Sequence, residues 1–203
     1  MEWRCVILDA DGVVIDKELF SAQLERDYGI RHEATQEFFS GVFQPCLVGK
    51  QDLKRVLVPY LEKWHWKGSV NDFLAYWFRS EYSINQKVMD LVQNQRRQGV
   101  SFYIATNQEK YRTEYMKHDM GFEKSFDDIF SSAYLGCKKD DRMFLSLMYE
   151  SISRSGRIAR QDVLFWDDDI QNVEAAREFG FNSNLFDGFD GFRRVTNAFL
   201  RRL

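Results

Sequence analysis

The chain has 203 residues, with 28 basic against 31 acidic side chains and a formal charge of −3. That length fits one large domain or a domain with an insertion, and the near balance of charge excludes a dedicated basic nucleic-acid binder. An apolar fraction of 44% with 29% charged residues excludes wholesale disorder, and 2 prolines with 12 glycines exclude collagen-like or linker-dominated designs.

Arg4–Leu8 is a short run rich in Val and Ile that reads as a buried strand and breaks at Asp9-Ala10-Asp11-Gly12. From Asp16 to Tyr82 the periodicity is helical, with no convincing strand. Leu19, Phe20, Leu24 and Tyr28 open it, and Phe38, Phe39, Val42 and Phe43 follow. Leu53, Val56, Leu57, Tyr60, Leu61 and Trp64 form a third stripe, which Pro59 is expected to bend or end. Phe73, Tyr76 and Trp77 close the series, and Ile84–Gln95 reads as a helix returning to the sheet. Gly99 precedes a second strand, Val100–Ala105, which ends at Thr106-Asn107. A third, Val163–Trp166, ends at Asp167-Asp168-Asp169, and weaker strands are expected near Ile129–Ser131 and Ser183–Phe186. Apolar faces on Tyr111, Tyr115 and Met116, on Met143, Phe144, Leu147 and Met148, and on Val173, Ala176 and Phe179 predict helices between them, the last capped by Gly180.

Strands alternating with helices predict an α/β fold, a Rossmann-like three-layer sandwich with a parallel central sheet. Several helices are too many for one crossover. Residues 16–82 are therefore expected to form an inserted all-helical cap domain, and residues 1–15 and 83–203 the core domain. Cys5, Cys46 and Cys137 are far apart and form no CxxC pair, which fits a reducing compartment and no structural zinc. No apolar run approaches the roughly 18 residues of a membrane helix, and Val6-Ile7-Leu8 stops too soon for a signal peptide. The expectation is a cytoplasmic protein, monomeric or homodimeric, with no membrane and no nucleic-acid partner.

In an open parallel sheet, ligands bind beyond the carboxyl ends of the strands. The three strongest strands end in Asp9 and Asp11, in Thr106 and Asn107, and in Asp167 and Asp168. Each pair alone also reads as ordinary structure, since Asp, Asn and Gly are turn residues and Asp or Thr caps helices. Together they gather four carboxylates and a hydroxyl at one edge. Crowded carboxylates repel, and some protonate unless a cation sits among them. Oxygen donors without His or Cys suit a hard cation, Mg2+ before others, and Mg2+ usually works beside phosphate oxygens. Trp64-His65-Trp66 reads as core plus one exposed His. A dinucleotide oxidoreductase would need Gly-x-Gly-x-x-Gly after the first strand, and Asp-Ala-Asp-Gly-Val-Val is no such loop.

Four segments, in this order, resemble the motifs of the haloacid dehalogenase-like (HAD) hydrolases. Val6-Ile7-Leu8-Asp9-Ala10-Asp11-Gly12-Val13-Val14 resembles the first, and Tyr103-Ile104-Ala105-Thr106-Asn107 the second. Gly136-Cys137-Lys138-Lys139-Asp140 resembles the third, a Lys usually followed by Pro, with Lys139 standing where Pro is common. Leu164-Phe165-Trp166-Asp167-Asp168-Asp169, with Asn172, Ala176 and Gly180, resembles the fourth. The insertion between the first two motifs is similar to the helical cap of phosphoglycolate phosphatase and β-phosphoglucomutase relatives.

The resemblance implies roles. Asp9 is expected as the nucleophile that forms an aspartyl-phosphate and as a metal ligand, and Asp11 as the acid and base, with its main-chain carbonyl on Mg2+. Asp168 is expected as a direct metal ligand and Asp167 as one acting through water. Thr106 and the backbone N–H of Asn107 would bind the phosphoryl group, and Lys138, with the adjacent Lys139 as the alternative, would be the point charge between Asp9 and the phosphate. Haloacid dehalogenases lack an acid at the position of Asp11, because halide leaves without a proton. The expected activity is thus Mg2+-dependent hydrolysis of a small phosphorylated metabolite, a phosphatase. The alternatives are a phosphomutase of a sugar phosphate and a catalytically silent phosphate-binding regulatory protein.

Overall fold

The computed structural model describes residues 4–16, 20–154 and 158–201. Five parallel strands lie in the order β3-β2-β1-β4-β5: β1 Cys5–Leu8, β2 Ser101–Thr106, β3 Asp128–Ser131, β4 Val163–Asp167 and β5 Asn182–Leu185. β1 is central and buried along its whole length, as an apolar run without polar alternation requires when both sheet faces are covered. Its alternate side chains serve opposite layers. Val6 and Leu8 join Phe102, Ile104, Leu164 and Trp166 beneath α6 (Gln86–Arg96), α7 (Lys110–His118) and α12 (Phe189–Leu200). Cys5 and Ile7 join Tyr103, Ala105, Val163 and Phe165 beneath α10 (Arg142–Ser153) and α11 (Ile170–Phe179). This is the expected three-layer α/β sandwich.

Side chains start the helices that follow the strands. Glu109 caps α7, Asp141 caps α10 and Asp169 caps α11, each accepting from a first-turn N–H. Gly180 ends α11 at φ +105°, a conformation costly for any residue with a Cβ. The short helices α8 (Phe122–Ser125) and α9 (Ser132–Leu135) flank β3.

Between β1 and α6 lie α1 (Phe20–Tyr28), α2 (His32–Ser40), α3 (Gln44–Leu47), α4 (Leu53–Lys63) and α5 (Val70–Ser80). They gather round an apolar core of their own, rich in rings: Phe20, Phe38, Phe43, Trp64, Phe73, Trp77 and Phe78 are all buried there. Leu19 of the first stripe lies outside the described residues. Trp64 is buried and His65 exposed, while Trp66 packs edge-on against Phe73. Pro59 does not end its helix, which continues to Lys63. Pro59 is exposed, so water can reach the carbonyl of Arg55 that a proline leaves without a helical donor. The two passages between helices and sheet run side by side, with Asp16 N–H donating to Ser83 O at 2.7 Å and Asn85 N–H to Val14 O at 2.9 Å. Among the described residues no helix is long and apolar enough to cross a membrane.

Candidate active site

The carboxyl ends of β1, β2 and β4 meet at one edge. Asp9 N–H donates to Trp166 O at 2.9 Å, which carries the β1–β4 pairing one residue beyond Leu8. The Asp9 side chain is buried and Asp167 wholly so. Between them lies the amine of Lys139, 2.7 Å from Asp9 Oδ1 and 2.7 Å from Asp167 Oδ2. Ala10 N–H also donates to Asp9 Oδ1, at 2.7 Å. The other oxygen of Asp167 accepts from Asn172 Nδ2 and from Asp169 N–H, both at 3.0 Å.

Two carboxylates and one ammonium leave a net negative charge in a dry place, which is costly. Burial, helped by the charge of Asp167, holds the Asp9 carboxyl well above its usual range, while Lys139 opposes the rise. Burial alone would lower Lys139, but the two carboxylates outweigh it and keep the ammonium charged. A second cation would relieve the remaining excess.

Asp168 completes the donor set. One carboxylate oxygen from each of Asp9, Asp167 and Asp168 lies within 4.8 Å of the others. Opposite oxygens on a Mg2+ ion stand about 4.2 Å apart, given bonds of about 2.1 Å. The all-oxygen set therefore fits Mg2+. Asp167, already held by three donors, suits support through water. Asp9 and Asp168, far apart along the chain, thus come within shared reach of one ion. Gly12 makes this possible: its φ is +87°, and a Cβ there would stand 2.5 Å from Cγ of Asp168.

The lysine at this site is Lys139, which corrects the sequence expectation of Lys138. The amine of Lys138 points the other way and donates to Gln44 Oε1 of α3, at 2.8 Å. Asn107 decides between the neighbours. Its Oδ1 accepts from the main-chain N–H of Lys139 at 2.9 Å and fixes the loop with Lys139 turned inward. The residue in the family's proline position is then Asp140. Asn107 thereby gains a loop-holding bond that its assignment to phosphate did not include. Thr106 is buried at the end of β2, and the pairing of Leu8 with Ile104 sets it beside the Asp9–Asp11 turn.

Asp11 sits further out, its side chain 37% exposed. Its Oδ2 accepts from Gln108 Nε2, and Arg112 Nη2 lies 3.9 Å from Oδ1. Sequence reasoning missed both partners. Gln108 directly follows the second motif and was within reach of inference. Nothing in the sequence distinguishes Arg112 from its exposed neighbours on the same helix.

No family model matches the chain. Solved structures do, over nearly its whole length. The HAD family enzyme bt-2542 of Bacteroides thetaiotaomicron, crystallised as a magnesium complex, superposes with a TM-score of 0.72, covering 95% of this chain and 100% of that one at 18% identity. The fold is that of the HAD enzymes. A HAD-like family hydrolase from Porphyromonas gingivalis gives a TM-score of 0.73 at 15% identity, over 97% of this chain and 98% of the other. L-2-haloacid dehalogenase from Xanthobacter autotrophicus gives 0.62 at 18% identity, over 88% and 75%. In sequence, 75 residues are 39% identical to drimenol cyclase drtB of Aspergillus calidoustus, a match covering 36% of this chain and 13% of that protein. In this chain Asp9, Asp167 and Asp168 form the acidic cluster at the carboxyl edge of that fold's sheet.

Proposed function

We propose that this chain is a Mg2+-dependent phosphatase of small phosphorylated metabolites, with residues 16–82 acting as a cap over the site and a reducing, cytoplasmic setting. The observation that carries the reading is the pairing of two unlike carboxylates two residues apart. Asp9 is buried and bonded to an ammonium, whereas Asp11 is part-exposed. One is suited to attack and the other to proton exchange. Support for phosphate also comes from the fold: wild-type bt-2542 is described in complex with magnesium and inorganic phosphate.

The residues act as follows. Asp9 attacks phosphorus, and the bond to the ester oxygen breaks as that oxygen takes a proton from Asp11. Water then attacks the aspartyl-phosphate, giving a proton to Asp11 and releasing phosphate and free Asp9. Lys139 reduces the repulsion between Asp9 and the anionic phosphoryl group throughout. Thr106 and the N–H of Asn107 donate to the phosphoryl oxygens. Mg2+, when held by Asp9, Asp168, the carbonyl of Asp11 and Asp167 through water, supplies further charge neutralisation. An alcohol leaving group needs a proton and halide does not, so Asp11 favours esters over haloacids.

The test is release of inorganic phosphate from a panel of sugar phosphates, nucleotides and phosphoglycolate with Mg2+, beside halide release from 2-haloacids. Phosphate release that EDTA stops and Mg2+ restores is expected. Halide release without phosphate release, or turnover indifferent to EDTA, would overturn the reading.

A further inference from the structure

A buried arginine beside the site has no part in the chemistry above. Arg112 of α7 is 2% exposed, yet it lies next to a part-exposed carboxylate. Its Nη1 donates to Phe78 O at 3.0 Å and its Nη2 to Glu81 O at 3.3 Å. The first carbonyl lies in the last turn of α5 and the second just beyond it, where the chain returns to the sheet. The guanidinium is flanked by the rings of Phe78 and Tyr115, each 5.6 Å from its carbon. Nη2 is also 3.6 Å from Glu81 Oε2 and 3.9 Å from Asp11 Oδ1. Its buried Nε finds no acceptor among the described residues. An arginine retained only for stability would more usually have its buried donors satisfied.

Asp11 is held from two sides. Gln108 binds Oδ2, and Arg112 stands at Oδ1. Gln108 also belongs to the ground on which the helices rest. Its carbonyl accepts from Ala133 N–H at 3.2 Å, and the neighbouring Ser132 hydroxyl donates to Leu47 O of α3 at 2.5 Å. Arg112 therefore has its other end on the cap directly, whereas Gln108 reaches it only through the Ser132–Ala133 turn.

We infer that Gln108 and Arg112 are positioning residues that align the carboxylate of Asp11, and that Arg112 ties this alignment to the seating of the cap. This rests on the reading of Asp11 as acid and base. A misaligned acid matters most when the leaving oxygen is a poor one. Loss of either tether should therefore resemble loss of Asp11 itself, in milder form.

The experiment measures kcat and KM for Asp11→Asn, Gln108→Ala, Arg112→Gln and Arg112→Lys. The substrates are p-nitrophenyl phosphate and the best alkyl phosphate from the panel. Gln108→Ala and Arg112→Gln should lower kcat on the alkyl ester about 10- to 100-fold and on the aryl ester about threefold or less, with KM little changed. Added to Asp11→Asn, neither should cost anything further on the alkyl ester. Arg112→Lys should recover part of the loss. Hydrogen exchange at the amides of Asp16 and Asn85, which bond the chain just beyond Glu81, should quicken in Arg112→Gln and stay unchanged in Gln108→Ala, because only the arginine bonds the main chain at Phe78 and Glu81. Gln108 is half-buried and outside the apolar core, so Gln108→Ala remains decisive if the arginine variants fail to fold. Equal losses on both esters, or full additivity with Asp11→Asn, would overturn the tether. If Asp11→Asn itself shows no leaving-group bias, the acid–base reading falls, and the tether with it.

Discussion

Asp9, Asp167 and Lys139 lie inside the sheet edge with both ammonium contacts at 2.7 Å, whereas Asp11, Glu81 and Arg112 straddle sheet and helices at 3.6 and 3.9 Å. Each group holds two carboxylates and one cation. In the inner one, every partner comes from a strand end or the loop behind it, and little water enters. In the outer one, the cation is buried but Asp11 meets solvent. A nucleophile must be fixed and aimed, while an acid–base group must exchange protons with its surroundings. On the proposed reading, similar sets of charges serve these two needs because their burial differs.

Breaking the inner group should have the largest effect. Asp9→Asn removes the attacking oxygen's charge but keeps a carbonyl for Lys139 and Ala10, so the chain should fold with an unchanged far-ultraviolet spectrum. Phosphate release should drop at least about a thousandfold. Retention of near wild-type turnover would remove Asp9 as nucleophile.

Lys139→Ala should come next. It leaves two buried carboxylates without their shared cation, a change that typically costs about 3–5 kcal/mol. Both the melting temperature and turnover should fall steeply. Lys138→Ala removes one bond to Gln44 and should leave turnover within about threefold, since surface substitutions rarely exceed about 0.5 kcal/mol. A reversal of that order would contradict the geometry of the third motif.

That pair of lysines marks where the sequence stops being legible. The strands were readable because apolar runs end abruptly in polar residues, and β3 and β5 were found despite the polar starts of Asp128 and Asn182. The acids were readable because strand ends in a parallel sheet share an edge. Lys138 and Lys139 are one residue apart on a loop, and their facing depends on a bond from Asn107, 32 residues earlier. Pro59 misled for a related reason: its cost depends on whether water reaches one carbonyl, which local pattern does not record. Arg112 left no trace, because burial of a helix cation follows from what packs over it. Here that cover is the Phe78–Glu81 segment.

The smallest effect sharpens the contrast from the outer side. Burial, with Asp11 adding to it and Arg112 opposing, pushes Glu81 up from 4.5 to about 7. Below pH 4.5 the group is neutral folded or unfolded and contributes nothing to the difference. Between 4.5 and about 7 the folded state holds the proton more tightly, so stability falls as pH rises. Above about 7 the folded chain carries a charge that burial disfavours. The side chain is still 23% exposed, which softens the penalty to about 1–3 kcal/mol. Glu81→Gln removes the ionisation but keeps the shape. In urea titrations the variant should match the wild type near pH 4.5 and exceed it by about that amount at pH 8. A variant less stable at pH 8 would mean that the ion pair with Arg112 outweighs burial. The carboxylate of the outer group would then be governed by charge pairing, unlike Asp9, which burial holds above its usual range despite Lys139.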